Sequence, residues 1–548
     1  MLTLFALEKH FFNSDFSNPG IHHFFNVLWY GLAAVMLYLF LLALFREQKQ
    51  LQGPILPLVI TLLFVAHPIH TEVVANIKSR DEILSFFFLT ASLYALLRYA
   101  RKDHLVWLGI SLLAFLACVL SKDSGLAMFG LVPFTLYYFT KVKAKNSGVD
   151  WGKMAVPVLA FAGTVGFYLL LRSSVMDKLT FEEDMLPINN SLMAAESTAE
   201  FLATNIKIHG KYLLLLLFPH PLSYDYSFPQ IPISTFADWR VWLSLLSYVA
   251  LAIYAIRGLL KRDPISYGII WYVIMMVLTS NFFTIIGAPL AERFLFAPSL
   301  GFCLAVTILL WRLSGLSSIQ QLFILTKQSG TLRFAAIVVS VLLAYAFKTV
   351  DRNADWKNSG TLFSSGLVTA PNSARALASY GSYLRESGER SSNPTQRQQL
   401  LRESIQYYQQ SLQLYPDFVE SRYNMGVAYL NLGDAASAKS AYELTLRLNP
   451  DYQSALNNLG FIYFQEKNFA KALEYWNHLL EVNPNSHEAL GNIGAIYHTQ
   501  EDLTRAIDYY ERSVALQPNN PRVIGNLIKI YQQLGNAERV NYYRGLVE

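Results

Sequence analysis

Ionisable side chains crowd into one short stretch of the sequence, FVAHPIHTEVVANIKSRDE, which covers residues 64–82. This stretch separates two apolar segments, where charged groups are costly unless they face water, a partner or a substrate. Pro68 is expected to break the preceding helix, because proline lacks an N–H group and clashes with the turn before it. His70, Glu72 and the basic residues that follow could then bind an anionic group at the membrane surface.

Two other interpretations of this stretch stay open at the sequence level. It could be a polar loop at the interface, with basic side chains that extend along apolar surface to reach water. It could also bind a divalent metal through His67, His70 and Glu72, since imidazole and carboxylate groups are common metal ligands. The sequence does not supply a complete ligand set for such a metal.

Membrane helices are the elements that must position these side chains. The chain has 548 residues, of which 53% are hydrophobic and 15% charged, and its mean hydropathy is +0.28. This composition is typical of a membrane protein, and the net charge of +5 gives no indication of a nucleic-acid partner. A bilayer takes about 20 apolar residues per helix. We expect ten spans, near 22–45, 53–66, 83–98, 105–120, 125–140, 154–171, 239–256, 265–285, 294–311 and 333–348.

The basic residues predict how these helices are oriented. Lys and Arg accumulate in cytoplasmic loops. The alternation of basic loops requires that residues 201–218 do not cross the bilayer, so we expect a re-entrant or juxtamembrane helix there. The stretch 67–82 and everything after Phe347 then share the non-cytoplasmic side. The basic loops fall near 46–49, 98–102, 141–153, 257–262 and 312–333.

The second half of the chain carries an internal repeat. Prolines at 416, 450, 484 and 518 are spaced by 34 residues, which is the period of tetratricopeptide repeats with two helices each. Glycines in phase mark the close approach of two helices, and aromatic residues in phase form the core. We therefore predict an all-α protein with a polytopic transmembrane domain over 1–348, a connector over 349–370 and a tetratricopeptide repeat (TPR) solenoid over 371–548. The in-phase residues are Gly426, Gly460, Gly494, Tyr442, Trp476 and Tyr510.

Asparagines recur on the first helix of each repeat, at Asn424, Asn457, Asn458 and Asn492. Side-chain amides at such positions could hydrogen-bond an extended peptide in the groove of the solenoid. The alternative interpretation is that they are ordinary solvated polar surface.

Five motifs, in this order and before a repeat array, resemble the transmembrane and tetratricopeptide repeat-containing O-mannosyltransferase family. This family belongs to the GT-C class of polyprenyl-phosphate-dependent glycosyltransferases. The resemblance covers nearly the whole chain. The motifs are HPIHTEVVANIKSRDE (67–82), SKDSGL (121–126), LLFPHPLSYDYS (216–227), LAERFLFAPSLGF (290–302) and RNADWKNSGTLF (352–363).

The resemblance implies a GT-C-like membrane domain that transfers mannose from a polyprenyl-phosphate donor to Ser or Thr of a protein on the non-cytoplasmic side. Its partners would be the lipid-linked donor, membrane lipids and an acceptor protein bound by the TPR domain. Displacement at the anomeric carbon needs a base for the attacking hydroxyl and cations for the leaving phosphate. The resemblance and the charge placement suggest donor-phosphate contacts at Arg80, Lys122 and Arg293. The catalytic candidates are Glu72, His70 and Asp81.

The start of the chain departs from the family pattern. In GT-C enzymes an outer loop after the first membrane helix carries an acidic residue, the usual candidate base for the acceptor. Residues 2–26 resemble the stretch that leads into the second helix, and their acids, Glu8 and Asp15, do not fit the pattern. We expect one more helix and an acidic loop encoded upstream of Met1. The competing hypothesis is a non-catalytic, membrane-anchored TPR adaptor that binds peptides or partner proteins.

Overall fold

A computed structural model describes residues 2–12, 19–48, 51–140, 151–176, 185–316 and 329–546. Among these residues every regular element is a helix, which confirms the predicted all-α class. The chain divides into two compact units, Met1–Ser373 and Ala374–Glu548. Asp15, the basic loop at 141–150 and residues 317–328 of the last basic loop lie outside the described residues.

The first unit contains fourteen α-helices among its described residues, joined by short 3-10 turns. Four of these turns carry residues of the motifs: Pro68–His70, Ile77–Ser79, Asp123–Ala127 and Glu292–Leu295. The helices are α1 (Leu2–Phe12), α2 (Gly20–Phe45), α3 (Ile55–Ala66), α4 (Thr71–Ala75), α5 (Arg80–Lys102), α6 (Leu105–Ser121), α7 (Met128–Phe139), α8 (Trp151–Met176), α9 (Thr198–Leu217), α10 (Trp239–Lys261), α11 (Pro264–Met276), α12 (Ser299–Leu313), α13 (Ser329–Asp355) and α14 (Ser359–Thr369).

Five helical segments of the described chain are long and apolar enough to cross a bilayer, and a bent pair, Ile55–Ala66 with Pro68–Ala75, would make a sixth. These segments confirm a multi-pass membrane protein, whereas the expected number of ten spans stays a prediction. Each expected segment does coincide with a helix, but α6, α7, α11 and α12 are only 17, 12, 13 and 15 residues long. The five are Gly20–Phe45, Ile77–Lys102, Met154–Val175, Trp239–Lys261 and Ser329–Asp355.

Pro68 breaks the chain between α3 and α4, as predicted. His67 ends α3 in an extended conformation (φ −63°, ψ 121°), which is the region preferred by a residue before proline. The two helices are bent by 53° at this point. The bend turns the polar residues after Pro68 away from the axis of the apolar helix α3.

The end of the first unit differs in detail from the predicted connector. The last membrane helix, α13, runs on to Asp355, beyond the expected domain end at residue 348. Arg352, on its last turn, is only 2% exposed, so burial continues past the apolar segment. Helix α14 also belongs to the first unit, and the boundary between the units falls after Ser373.

The second unit is a stack of helix pairs. The two helices of the first pair have 17 and 21 residues and are the longest of this unit. The helices are α15 (Ala374–Arg390), α16 (Pro394–Leu414), α17 (Val419–Asn431), α18 (Ala435–Leu448), α19 (Gln453–Gln465), α20 (Phe469–Val482), α21 (His487–Thr499), α22 (Leu503–Leu516), α23 (Pro521–Gln533) and α24 (Ala537–Arg544).

The glycines of the repeats lie where two helices touch. A Cβ atom on Gly460 would come within 2.4 Å of Nε1 of Trp476, and one on Gly494 within 2.7 Å of the ring of Tyr510. The rings themselves are buried, with Trp476 and Tyr510 each 1% exposed. The predicted roles of the in-phase glycines and aromatics are therefore confirmed.

Candidate active site

An ion pair between Glu72 and Arg293 joins the first and fourth motifs. Glu72 Oε1 accepts from Nη1 of Arg293 at 2.6 Å, and Oε2 accepts from the Arg293 backbone N–H at 3.1 Å. The Glu72 side chain is 3% exposed, whereas the Arg293 side chain is 35% exposed. Burial lowers the pKa of Arg293, but the Glu72 carboxylate outweighs it, and the pKa lies above its usual value. Glu72 therefore holds a permanent cation whose outer part remains accessible.

A second cation, Lys122, is held by two neighbouring carboxylates at the start of α5. Its Nζ lies 2.7 Å from Asp81 Oδ2 and 3.1 Å from Glu82 Oε1. Burial lowers the pKa of Lys122, but the two carboxylates have the larger, opposite effect. The pKa of Lys122 therefore lies above its usual value. The Lys122 side chain remains 30% exposed and that of Asp81 19%. Glu82 also acts electrostatically on Arg293, so the two cations and their carboxylates form one electrostatic cluster.

Arg80 does not join this cluster, and its contact with a donor phosphate stays a prediction. It is fully buried. Its guanidinium is bound to the Glu8 carboxylate, donates to Asn26 Oδ1 at 2.6 Å and to the His22 carbonyl at 2.7 Å, and lies over the ring of Phe5. These partners surround the cation, so an anionic ligand would have to displace Glu8 to reach it.

His70 is likewise committed to other side chains. Its Nδ1 lies 3.0 Å from the Tyr30 hydroxyl and its Nε2 2.9 Å from the Ser299 hydroxyl, and the residue is 2% exposed. His67 has Nε2 at 3.0 Å from the Leu216 carbonyl and accepts at Nδ1 from a backbone N–H. Both ring nitrogens of His70 thus contact other side chains, and its catalytic role stays a prediction.

No group of three or more His, Cys, Asp or Glu residues in the described chain is arranged to hold a metal ion. Both ring nitrogens of His67 and His70 have other partners, and Glu72 is bound to Arg293. The three residues considered as metal ligands thus face different neighbours.

Glu292 is a buried acid of the site that sequence reasoning did not place among its candidates. Its Oε1 accepts from the Ser223 backbone N–H at 2.6 Å and from the Tyr226 hydroxyl at 3.0 Å, and Oε2 has no hydrogen-bond partner. Burial raises the pKa of Glu292 to about 8, against the effect of Arg352 and with that of Glu72. The sequence feature that could have identified Glu292 is its position in the fourth motif, where a charged pair stands between apolar residues.

Arg352, in the fifth motif, is a second buried charged residue and acts electrostatically on Glu292. Its Nη1 donates to Asp355 Oδ2 at 2.8 Å. Its Nε and Nη2 have no hydrogen-bond partner, and neither has Nε1 of Trp356 one turn further on. Buried polar atoms without partners are rare in native proteins, so this group is set up to bind a polar ligand or water.

All five motifs are therefore linked to one another in the first unit, although they lie far apart in the sequence. The links are direct contacts in four cases and electrostatic in the fifth. They are Glu72 with Arg293, Lys122 with Asp81, His67 with the Leu216 carbonyl, Glu292 with Ser223 and Tyr226, and Arg352 acting on Glu292.

An apolar cavity of about 500 Å³ opens between α3, α9, α12 and α13. Its walls include Leu217, Phe302 and Val341, and Tyr345 in the wall also contacts the ring of His67 at 4.6 Å. Lys348 lies at its margin, paired with Asp351 at 2.8 Å. The cavity thus places a largely apolar channel beside the first motif.

Three of the four asparagines predicted to bind peptide form hydrogen bonds within the second unit. Asn458 donates to the hydroxyl of Tyr442 at 3.1 Å. Asn457 Oδ1 accepts from Trp476 Nε1 at 3.1 Å and from Asn492 Nδ2 at 3.2 Å. Asn424 is half-buried. At least part of each of the first three amides is therefore used within the stack, and peptide binding by these residues stays a prediction.

Curated proteins similar to this chain are protein O-mannosyl-transferases. TMTC3 of Mus musculus is 26% identical over 470 residues, covering 80% of this chain and 47% of the relative. The Drosophila melanogaster Tmtc3 is 27% identical over 429 residues, covering 70% and 43%. TMTC4 of Mus musculus is 26% identical over 430 residues, covering 71% and 56%. The resemblance identified from the motifs is confirmed, and the chain spans about half the length of the curated relatives it matches.

The repeats are also recognised by family models described as tetratricopeptide repeat, over residues 451–519, 396–452 and 423–477. Among solved structures, the crystal structure of MamA protein is 18% identical, with a TM-score of 0.27, and covers 32% of this chain and 88% of that one. The family models confirm the predicted TPR array.

Proposed function

We propose that this protein is a membrane glycosyltransferase that transfers mannose from a polyprenyl-phosphate donor to Ser or Thr of an acceptor protein. The reaction takes place on the non-cytoplasmic side, and the TPR unit binds the acceptor. The names of the curated relatives support a mannosyl group and a protein acceptor. The observation that carries the proposal is the pair of accessible cations, Arg293 and Lys122, each fixed by buried or half-buried carboxylates in one cluster.

The cations suit the leaving group. When the acceptor oxygen attacks the anomeric carbon, the bond from that carbon to the phosphate oxygen breaks and negative charge grows on the phosphate. Preorganised donors aimed at developing charge stabilise a transition state most effectively when they need no rearrangement. Arg293 meets this condition, because Glu72 binds both its side chain and its backbone N–H. Lys122 supplies a second point charge.

The proton of the acceptor hydroxyl needs a base. Of the three carboxylates in the cluster, Asp81 has the most exposed side chain, at 19%, against 3% for Glu72 and 10% for Glu82. The Oδ2 atom of Asp81 lies 2.7 Å from Nζ of Lys122. In our proposal Asp81 accepts the proton, whereas Glu72 and Glu82 are positioning residues that hold the two cations.

The apolar cavity beside the first motif suits the lipid part of the donor. Its walls are formed mainly by Leu, Val, Ile and Phe side chains, and burial of apolar surface there contributes roughly 25 cal/mol per Å². A prenyl chain in this cavity would bring its phosphate toward the polar residues that follow α3. A lipid-linked donor requires an apolar cavity for its chain and cations for its phosphate, and the first unit contains both.

The decisive experiment measures mannose transfer from a polyprenyl-phosphate mannose donor to a Ser/Thr peptide by the full chain in nanodiscs. We expect Arg293→Lys to reduce transfer on the order of a hundredfold, because lysine offers a point charge without the planar fork of arginine. Removing one donor to a developing anion typically costs about 3 kcal/mol of barrier, and about 1.4 kcal/mol is a factor of ten in rate.

Arg312 provides a matched control for this variant. It forms an ion pair with Asp263 at 2.8 Å at the opposite end of α12, and its side chain is 46% exposed. Arg312→Lys should leave transfer unchanged. Equal transfer by wild type, Arg293→Lys and Arg293→Ala, with unchanged thermal stability, would remove Arg293 from the site.

The non-catalytic adaptor is the alternative outcome of the same experiment. It predicts that the wild-type chain transfers no sugar but binds peptides through the TPR unit. The non-cytoplasmic location has its own test: a reporter that is active only in the cytoplasm, fused after Glu548, should stay silent. A bright signal from this reporter would contradict the proposed topology.

A further inference from the structure

A second pocket in the first unit lies among α9, α10, α11 and the loop that follows, and it shares no residue with the cation cluster. Its volume is about 380 Å³, within the range of small-molecule sites in proteins. The walls are almost entirely apolar or aromatic. They include Ile206, His209, Tyr248, Val273, Met276 and Phe282.

His209 is the polar side chain on which the chemistry of this pocket depends. It is 7% exposed, and its Nδ1 lies 2.9 Å from the Asn205 carbonyl oxygen. Because a carbonyl oxygen can only accept, Nδ1 must carry the hydrogen. Burial lowers the pKa of this imidazole, so the ring is neutral at physiological pH. Its Nε2 then presents a lone pair, and this atom has no hydrogen-bond partner.

The other polar groups around the pocket are already bonded to one another. The hydroxyl of Tyr248 donates to the His209 carbonyl at 3.1 Å and lies 2.7 Å from the hydroxyl of Tyr272. The Ser280 hydroxyl donates to the Val277 carbonyl at 2.8 Å. His209 Nε2 is therefore left as an isolated acceptor in apolar surroundings.

An apolar pocket with one unpartnered acceptor, His209 Nε2, favours some ligands over others. A trapped water needs two to four polar partners, and among the polar side-chain atoms that line the pocket only His209 Nε2 lacks a hydrogen-bond partner. A plain acyl chain would fill the apolar volume but leave Nε2 without a donor, which is costly for a buried polar atom. The rim of the pocket is exposed and apolar, with Phe283 79% and Val273 44% exposed, so apolar molecules can enter from that side.

We propose that this pocket binds a lipid alcohol, an apolar body with a single hydroxyl group that donates its hydrogen to Nε2 of His209. The body of the ligand packs on the aromatic rings, among them Phe282, whose ring centroid lies 5.0 Å from that of His209. The hydroxyl gives the site its selectivity. This binding site is independent of the sugar-transfer proposal, because none of its residues belongs to the cation cluster.

The test compares 1-tetradecanol with 1-methoxytetradecane, in which a methyl group replaces the donor hydrogen, bound to the full chain in nanodiscs. We expect the alcohol to bind about fivefold more tightly than the ether, the typical net contribution of one neutral hydrogen bond. His209→Phe keeps an aromatic ring next to Phe282 and removes Nε2, so it should bind both probes with the affinity of the ether.

Val273→Trp serves as a second variant that leaves His209 in place. The larger side chain fills the pocket from its exposed rim, so neither probe should bind. A tetradecanol with a photoreactive diazirine should label peptides from α9 and α11 in wild type only. Equal binding of alcohol and ether by the wild-type chain, labelling elsewhere, or undiminished binding by Val273→Trp would each overturn the proposal.

Discussion

The polar contacts between side chains recur from repeat to repeat in the second unit of this protein, whereas those of the first unit occur once. In the repeat unit the same bond recurs: Asn458 to the Tyr442 hydroxyl and Asn526 to the Tyr510 hydroxyl are both 3.1 Å long. In the membrane unit each polar contact occurs once, and Glu72 and Arg293 are 221 positions apart in sequence. A contact that occurs once has no equivalent elsewhere to compensate for its loss.

One repeat shows how the periodic network adapts to a change in sequence. Trp476 stands where the neighbouring repeats have tyrosine, and its indole N–H can only donate. The indole donates to Asn457 Oδ1 at 3.1 Å, and Asn492 donates to the same oxygen at 3.2 Å. The repeat unit thus tolerates substitution by exchanging one amide partner for another, an option that the single contacts of the membrane unit lack.

The largest effect in a test of this difference between the two units is expected from removing Glu8, the partner of the fully buried Arg80. We expect Glu8→Ala to destabilise the membrane unit by roughly 3–5 kcal/mol, because it leaves a buried guanidinium without its counter-charge. The measurement is the thermal unfolding midpoint of the full chain in detergent micelles.

The matched control for Glu8 is an ion pair in the repeat unit. Lys439 and Glu466 lie 3.1 Å apart with exposed or half-exposed side chains, and such pairs contribute roughly 0–1 kcal/mol. Glu466→Ala should therefore change the midpoint little. Equal shifts for the two variants would contradict the distinction between the units.

A smaller effect is expected from Gly460→Ala in the repeat unit. The new methyl group would lie 2.4 Å from Nε1 of Trp476, and overpacking of this kind costs roughly 1–3 kcal/mol. Hydrogen exchange of the full chain should show faster opening in α19 and α20. Gly525→Ala is the control, since no atom lies within 4 Å of its Cβ position and alanine favours a helix; faster exchange there would argue against the packing explanation.

A pH-dependent effect on stability is expected from Glu292. Its folded pKa of about 8 exceeds the ordinary value of 4.5, so the folded state binds more protons between these values. This contribution to stability is complete below pH 4.5 and is lost as the pH rises toward 8. The slope is at most about 1.4 kcal/mol per pH unit for one group.

Glu292→Gln should flatten this slope, because the amide oxygen can still accept from Ser223 and Tyr226 but does not titrate in this range. The measurement is the unfolding midpoint of wild type and variant at several pH values from 5 to 8. The exposed Glu466→Gln variant is the control and should keep the wild-type slope. Identical slopes in wild type and Glu292→Gln would show that Glu292 does not titrate as its burial indicates.

Much of the architecture could be predicted because it depends on local patterns. Apolar segments gave the helices of the membrane unit, and Pro68 gave the break before α4. The number of spans stays a prediction, because apolar composition alone does not distinguish a crossing helix from a short one such as α7, which has 12 residues. The pairing of Arg293 with Glu72 needed the structure, although both residues were candidates.

The sequence by itself determined the repeat unit. The 34-residue period sets Gly460 against Trp476 and Gly494 against Tyr510, contacts between residues sixteen positions apart that recur whenever the pattern recurs. Only the tertiary structure decided which charges of the membrane unit are available. Arg80 and Arg293 are both arginines beside acidic motif residues, yet one is enclosed by Glu8 and the other keeps a 35% exposed side chain. That outcome depends on how helices distant in sequence pack together, and no local spacing encodes it, because each of these contacts occurs only once.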